Sequence, residues 1–350
     1  MANGFRVLTY ADALQVARRA GGPIHALLGN GFSRACRDDI FSYGALFERA
    51  DFRGLSDQAK NSFKALNTTD FEHVIRALKQ TAAVVTVYRP TDADLANRLA
   101  ADADRLREVL VGAIANSHPN HPNEIAPEAY AACKTFLSAF DRVYTLNYDL
   151  LLYWAYMQSE IPPVLQCDDG FRKPSSGDGP YVTWEVENSY QQKVYYVHGA
   201  LHLFDAGSEI QKYTWANTGV RLTDQVRTAL GESKYPLFVS EGTSAEKLEK
   251  IKHNGYLHRV LASLPSVGGT LVIYGFSFAQ NDEHIVNLIE KSGVTTVLVS
   301  LFGNPTSEAN RAIIRRAMLM ADRRANVRRR ARVLLDIQFF DARSAQVWGV

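Results

Sequence analysis

Short apolar runs that stop at a small or polar residue recur along the chain. They end in the letters LLG, TLN, VHG, IYGFS and VSLFG. Segments in which apolar residues have helical spacing separate most of these runs. Continuous apolar strands that alternate with helices are typical of a parallel sheet covered on both faces. The pattern therefore predicts an α/β fold.

Helical spacing is densest over residues 41–130, between the first two predicted strands. DFEHVIRALKQTAAVV is one such segment, and Thr69 or Asp70 is its predicted N-cap. We expect 41–130 to be a helical insertion within a single domain that spans residues 1–350. Residues 160–192 are rich in Pro, Gly, Asp and Ser, which predicts a small irregular insertion with short strands.

Composition narrows the class of protein only slightly. The 350 residues are 46% hydrophobic and 22% charged, which is ordinary for a chain with a sizeable core. A net charge of +2 gives no reason to expect nucleic acid or an acidic membrane surface. The start of the chain lacks a long apolar segment, and no apolar run is long enough to span a bilayer. We therefore expect a cytoplasmic protein without membrane contact.

The cysteines exclude one common type of metal site. Cys36, Cys133 and Cys167 are the three cysteines, and they are scattered along the chain. They cannot form a four-cysteine zinc site within one chain, and they do not favour a disulfide framework. No other ligand spacing indicates a metal, so none is predicted.

The predicted strand ends carry the candidate chemistry, because ligands of open α/β sheets bind outside the carboxyl ends of the strands. The stretch HALLGNGFSRAC places Gly29, Asn30 and Gly31 between a strand and a helix. Glycines allow close approach, and a helix N-terminus favours a phosphate. Ser33 adds a hydroxyl and Arg34 a cation. The alternative is a turn with no ligand.

Three further strand ends follow along the chain. In TLNYD, Asn147 and Asp149 either face a ligand or cap the next helix. His198 precedes a glycine and is either a general base or a hydrogen-bonded structural histidine. In YGFS, Gly275 permits close approach and Ser277 can donate a hydrogen bond.

The order of these motifs is more specific than any one of them. This order resembles that of the sirtuin superfamily: G-x-G-x-S, then T-x-N-x-D, then H-G, then G-x-S with a following aspartate. The likeness is closest to bacterial sirtuin-like proteins with a G-N-G-F-S opening. Asn30 stands where the family usually has alanine. The resemblance implies a Rossmann-type, mainly parallel sheet with helices on both faces and a helical insertion, and it implies NAD as the ligand.

The resemblance also implies a role for each motif residue. Asn147 would contact the nicotinamide ribose and position water, Asp149 would contact the nicotinamide side or fix the loop, and His198 would be the base. Gly29, Asn30, Gly31 and Ser33 would line the pyrophosphate, and Gly275 and Ser277 would hold the adenosine side. The other candidate NAD-binding residues are Arg34, Thr145 and Asp282.

Sirtuin deacylases usually carry a zinc module built on four cysteines, which this chain cannot form. The resemblance therefore implies an NAD glycohydrolase that releases nicotinamide and ADP-ribose. In bacteria it points to anti-phage defence by NAD depletion, in a homo-oligomer and with a partner NTPase or sensor protein. ADP-ribosyl transfer or cyclisation in the same pocket is a variant of this chemistry.

Two alternatives belong to other classes of protein. The same pocket could bind NAD or a cyclic ADP-ribose relative without turnover, as a nucleotide sensor. The segment RAIIRRAMLMADRRANVRRRAR could bind nucleic acid, but no aromatic residue lies among its arginines. A solvated helix or an oligomer interface is the stronger interpretation of that segment.

Overall fold

The structure is a computed structural model that describes residues 6–91, 93–173, 181–215, 219–232, 234–239, 242–327 and 334–349. Its strands are β1 (Val7–Leu8), β2 (Ile24–Leu28), β3 (Arg142–Thr145), β4 (Phe171–Arg172), β5 (Tyr181–Trp184), β6 (Val194–Tyr196), β7 (Gly199–Asp205), β8 (Ile210–Tyr213), β9 (Pro236–Phe238), β10 (Gly268–Tyr274), β11 (Gly293–Leu301) and β12 (Asp336–Asp341).

The helices follow the spacing of apolar residues closely. They are α1 (Tyr10–Ala20), α2 (Gly31–Phe41), α3 (Tyr43–Arg49), α4 (Asp57–Ala65), α5 (Phe71–Tyr88), α6 (Ala93–Ser117), α7 (Pro127–Leu137), α8 (Leu151–Met157), α9 (Leu222–Gly231), α10 (Ser244–His253), α11 (Gly255–Ser263), α12 (Glu283–Lys291) and α13 (Glu308–Val327). Short 3-10 turns join several of them.

A seven-stranded sheet forms the centre of the molecule, in the order β1-β12-β11-β10-β2-β3-β6. Every described pair of neighbours in it is parallel. The central strands β2, β10 and β11 are largely buried, which explains their continuous apolar sequences, whereas β1 and β12 are only partly buried. The predicted α/β fold with a parallel sheet between helices is therefore confirmed.

The strand order is that of a Rossmann fold. Numbered along the chain from β2, the strands read 3-2-1-4-5-6 across the sheet from β6 to β12, with β1 added beside β12. The order reverses between β2 and β10, because the chain moves from β2 to β3 on one side and later returns to β10 on the other. Such a switch point opens a crevice at the carboxyl ends of the strands.

Helices α3 to α6 lie between the first two long strands of the sheet, where the helical insertion was predicted. Their first part packs on a cluster of phenylalanine rings at centroid distances of 4.8 to 6.1 Å: Phe47, Phe52, Phe63 and Phe71. Asp70 accepts the backbone N–H of His73 at 3.3 Å, so it caps α5 as one of the two predicted residues.

A second sheet was not predicted. It has five strands in the order β4-β5-β8-β7-β9, and its described pairs are antiparallel. Residues 160–192 contain the short strands β4 and β5, and β5 pairs with β8, which lies outside that range. Residues 174–180 lie outside the described part of the chain. The chain passes directly from β6 in the first sheet to β7 in the second, through His198.

Two findings bear on the sequence-based exclusions. Cys36, Cys133 and Cys167 are all free thiols. Burial raises the pKa of Cys36 to about 12, so its thiol is protonated at neutral pH. Among the described residues, no helix combines the length and the apolar character needed to cross a bilayer.

Candidate functional site

The turn after β2 packs directly against the turn after β10. The backbone N–H of Gly31 donates to Gly275 O at 2.9 Å. A Cβ atom on Gly31 would lie 2.5 Å from the Cα atom of Gly275, and one on Gly29 would lie 2.6 Å from its carbonyl oxygen. Gly275 itself has a φ of +69°, in the left-handed region. These three glycines are therefore required by the contact between the two turns, whatever else binds there.

Ser33 and Asn147 join the carboxyl ends of β2 and β3. The amide Nδ2 of Asn147 donates to Gly29 O at 3.0 Å and to Ser33 Oγ at 2.9 Å. The Ser33 hydroxyl in turn donates to Asp149. Four residues that the sequence placed in one site thus lie in one hydrogen-bonded group. Because its proton points to Asp149, Ser33 cannot also donate to a phosphate in this arrangement.

Asp149 has a structural task as well. Its Oδ1 accepts the N–H of Leu151 at 2.8 Å at the start of α8, as the helix-capping alternative predicted. Burial raises the pKa of this carboxyl group, although Ser33 and the Leu151 N–H act in the opposite direction. Thr145 supports the same loop, since its Oγ1 accepts the backbone N–H of Asn147 at 3.0 Å. We refer to Gly29, Ser33, Asn147 and Asp149 as the switch-point group.

The helical insertion contributes one residue that the sequence did not reveal. His118 Nε2 lies 3.1 Å from the backbone nitrogen of Leu150 and accepts its N–H. Its Nδ1 lies 3.1 Å from Pro119 O, so this nitrogen carries the proton. Burial lowers the pKa of His118 to about 4, which keeps the ring neutral. His118 therefore holds the loop of Asn147 and Asp149 from the insertion side.

His198 lies at the end of β6 and is only 3% exposed. Its Nε2 is 3.2 Å from the Nε2 of His284, in the first turn of α12. On its other side, the Nδ1 of His284 is 3.1 Å from Ser244 Oγ at the start of α10. His198 was predicted because it follows a strand; His284 and Ser244 were not, because they lie far away in the sequence and follow no strand directly.

Asp282 and Lys247 complete this second group. Lys247 Nζ donates to Asp282 Oδ1 at 3.1 Å, and the lysine side chain is 3% exposed. Burial lowers the pKa of His198 to about 3 and that of His284 to about 4; Asp282 opposes both shifts, and Lys247 adds to them. Both imidazoles are therefore neutral at neutral pH. We refer to His198, His284, Ser244, Asp282 and Lys247 as the histidine group.

Three of these side chains also have the spacing of metal ligands. One nitrogen of His198, one of His284 and one oxygen of Asp282 lie within 4.8 Å of one another. However, the ammonium group of Lys247 is already bonded to Asp282, and a cation there would meet its charge. The geometry alone therefore does not make this group a metal centre.

Comparison with known sequences identifies the chain at the level of a family. Residues 26–348 match the family described as a domain of unknown function, DUF4917. The chain belongs to this family. No curated protein gives a match. The DUF4917 match begins inside β2 and ends beyond β12, so both groups of the candidate site lie within the family domain.

Six predicted ligand-binding residues lie outside the two groups of the DUF4917 domain: Gly31, Gly275 and Thr145, whose contacts are given above, and Asn30, Arg34 and Ser277. Asn30 Nδ2 donates to Phe41 O at 3.2 Å and ties the two ends of α2 together. Arg34 forms an exposed ion pair with Asp38 at 2.6 Å. Ser277 is exposed on the loop between Gly275 and α12. Asn30 thus has a structural contact within the turn and helix that it begins.

Trp348 contacts the helix that begins at the glycine turn. Its Nε1–H donates to Phe32 O at 2.9 Å, and the two rings lie 5.2 Å apart at 57°. Both side chains are buried. The segment after β12 is thereby attached to the first turn of α2.

A cleft of about 1060 Å³ opens at the opposite edge of the sheet, at the amino ends of β2, β3 and β10. None of the predicted site residues is among the residues that line it. We place the candidate site at the carboxyl edge nevertheless, because the switch-point group and the histidine group both lie there and because ligands of this fold bind at that edge.

The arginines of α13 are partly used within the chain. Arg323 pairs with Glu283 and Glu290 of α12, and Arg316 donates to Phe278 O. Arg324 is buried. Arg328, Arg329, Arg330 and Arg332 lie outside the described residues. The described contacts favour a structural role for this helix over a nucleic-acid surface.

Proposed function

We propose that this protein is an NAD glycohydrolase that cleaves NAD to nicotinamide and ADP-ribose at the carboxyl edge of the parallel sheet. The observation that carries the proposal is the switch-point group. The Rossmann order of strands reverses at this point of the sheet. Three features meet there: a side-chain amide whose orientation is fixed, a glycine turn at a helix N-terminus and a buried carboxyl group.

Cleavage of the bond between nicotinamide and ribose passes through an oxocarbenium-like species, so positioning and electrostatics supply most of the catalysis. Asn147 fits such a task because two hydrogen bonds fix the orientation of its side chain. His198 is neutral at neutral pH and so can accept a proton from water or from a ribose hydroxyl. The sirtuin-like order of motifs assigns the same two residues.

The start of α2 is the proposed pyrophosphate position. The positive partial charge at a helix N-terminus favours an anion, although here the N–H groups of Gly31 and Phe32 already donate to Gly275 O and Gly29 O. The contact between Gly31 and Gly275 brings the turns after β2 and β10 together there. NAD bound across this contact would have nicotinamide on the β3 side, next to Asn147.

Nucleotide binding without turnover is the second candidate. It is favoured by the contacts of Asp149, which accepts hydrogen bonds from Ser33 and from the backbone of Leu151. A carboxylate used in this way stabilises a loop and needs no substrate. ADP-ribosyl transfer and cyclisation remain variants of the first proposal, since they use the same bond cleavage.

The experiment is nicotinamide release from NAD by the purified full chain. We expect Asn147→Ala to reduce turnover by about 10²-fold or more, because it removes a positioned amide from the reacting centre. Asn97→Ala, at an exposed position of α6, is the matched control and should keep the parental rate.

Two results would contradict the proposal. Parental turnover by a folded Asn147→Ala variant would remove Asn147 from the reaction. Thermal stabilisation of the parent by NAD, with no nicotinamide released at any enzyme concentration, would favour the nucleotide sensor. A homo-oligomer, an NTPase or sensor partner, a cytoplasmic location and a role in anti-phage defence remain predictions that accompany the glycohydrolase.

A further inference from the structure

The hydrogen bonds of the histidine group can run in either of two directions, which depend on the tautomers of the two rings. The Nε2 atoms of His198 and His284 face each other at 3.2 Å, so one neutral ring donates and the other accepts. Ser244 Oγ accepts the backbone N–H of His284 at 2.7 Å and lies 3.1 Å from its Nδ1. A hydroxyl oxygen has two lone pairs, so Ser244 can accept both N–H groups of His284.

We propose that His284 is a positioning residue for His198, and that Ser244 fixes the tautomer of His284. In this arrangement Ser244 accepts Nδ1–H of His284, and Nε2 of His284 accepts Nε2–H of His198. The Nδ1 atom of His198 then keeps its lone pair. The inference rests on the proposed function, since only a base at His198 requires that lone pair.

The opposite direction would leave no base in the site. If His284 donated to His198, the only lone pair of a neutral His198 would be occupied at Nε2. In the proposed direction, the O–H bond of water or of a ribose hydroxyl breaks, its oxygen keeps the electron pair, and the proton binds Nδ1 of His198. The resulting imidazolium still donates Nε2–H to His284. This is the way in which an orienting group supports a catalytic histidine in hydrolases.

The charges around the pair act on the rings in opposite directions. Asp282 stabilises the protonated form of both rings, and Lys247 opposes it. Because Lys247 is bonded to Asp282, the two charges largely compensate each other while the rings are neutral. The groups that act on the pKa of His198 are therefore the charged pair Asp282 and Lys247 and the ring of His284.

Three variants separate positioning from a structural role. His284→Gln places an amide oxygen where Nε2 of the ring accepts, whereas His284→Leu offers no acceptor. We expect His284→Gln to retain kcat within about 10-fold, and His284→Leu to lose about 10²-fold or more with KM unchanged. Ser244→Ala should have an intermediate effect. His258→Leu, at an exposed position of α11, is the control.

Ring nitrogen chemical shifts test the direction without any activity. In ¹H–¹⁵N spectra of the parent, His198 should carry its proton on Nε2 and have a bare Nδ1; the signal is assigned by its loss in His198→Gln. A parent in which His198 carries its proton on Nδ1 overturns the inference, as does equal kcat in folded His284→Gln and His284→Leu. If the parent releases no nicotinamide, the proposed function fails, and the tautomer measurement still decides the direction of the bonds.

Discussion

Single atoms decide the geometry where the strand order reverses. Gly31 and Gly275 approach so closely that neither position has room for a Cβ atom. The sequence shows the glycines but not their reason, because the contact joins residues that lie far apart in the chain. A phosphate-binding turn and a close contact between two turns require the same residue type.

Gly31→Ala tests the close contact. Its Cβ would lie 2.5 Å from the Cα of Gly275, and backbone must move to admit it. We expect a loss of about 1–3 kcal/mol in the free energy of unfolding, measured by urea denaturation. Gly112→Ala in α6 is the matched control: nothing lies within 4 Å of its Cβ, and a helical alanine should add up to about 1 kcal/mol.

The switch-point group could be predicted from the sequence because each member lies shortly after the end of β2 or β3. Parallel strands bring such residues to one edge, so Ser33, Asn147 and Asp149 were expected together and lie together. His284, Ser244 and Lys247 lie on helices that reach the edge from one face of the sheet. Their helical positions carry no sign of a site in the sequence, because only packing of α10 against α12 brings them to His198.

At the scale of elements, the long apolar strands of the parallel sheet were predictable and the second sheet was not. Strands β4, β5, β8 and β9 are each two to four residues long. Such lengths are too short to establish an alternation of polar and apolar positions. Their pairing depends on contacts between segments that are distant in sequence, such as Tyr181 with Tyr213.

Helix α10 carries both Ser244 and Lys247, and its start is fixed by a capping box. Thr243 Oγ1 accepts the N–H of Glu246 at 3.3 Å, and the Glu246 carboxylate accepts the N–H of Thr243 at 2.6 Å. We expect Thr243→Ala to lower the free energy of unfolding by about 1 kcal/mol in thermal denaturation. Thr81→Ala, on an exposed face of α5, is the control and should leave the free energy of unfolding unchanged. An equal loss in both variants would show that the cap does not stabilise α10.

At the scale of the whole molecule, buried histidines set the response to acid. Burial lowers the pKa of each from 6.5: to about 4 for three of them, to about 3 for His198, and well below 6.5 for the remaining one. These histidines are His25, His118, His198, His202 and His284. Folding thus favours their neutral forms. The contribution of these histidines to the free energy of unfolding is fully present above pH 6.5 and is lost as the pH falls through 4.

We therefore expect acid unfolding to begin well above the range in which ordinary carboxylates titrate. His118 alone accounts for up to roughly 3 kcal/mol, against a total stability of about 5–15 kcal/mol for a typical protein. Circular dichroism at pH values from 7 to 4 measures the transition. The amide oxygen of His118→Gln can still accept the Leu150 N–H. This variant should reduce the slope of the free energy of unfolding against pH by the equivalent of about one proton. Equal slopes in parent and variant would show that His118 titrates normally when folded.

The contact of Trp348 with Phe32 gives the proposed pyrophosphate turn a natural optical probe. Indole emission depends on the local field and on collisional quenching, and this indole donates to the first turn of α2. The chain has four tryptophans, so replacing Trp154, Trp184 and Trp215 by phenylalanine would leave Trp348 as the sole emitter. Its quantum yield and lifetime would then follow events at the turn without an attached dye, in the same cuvette in which turnover is measured.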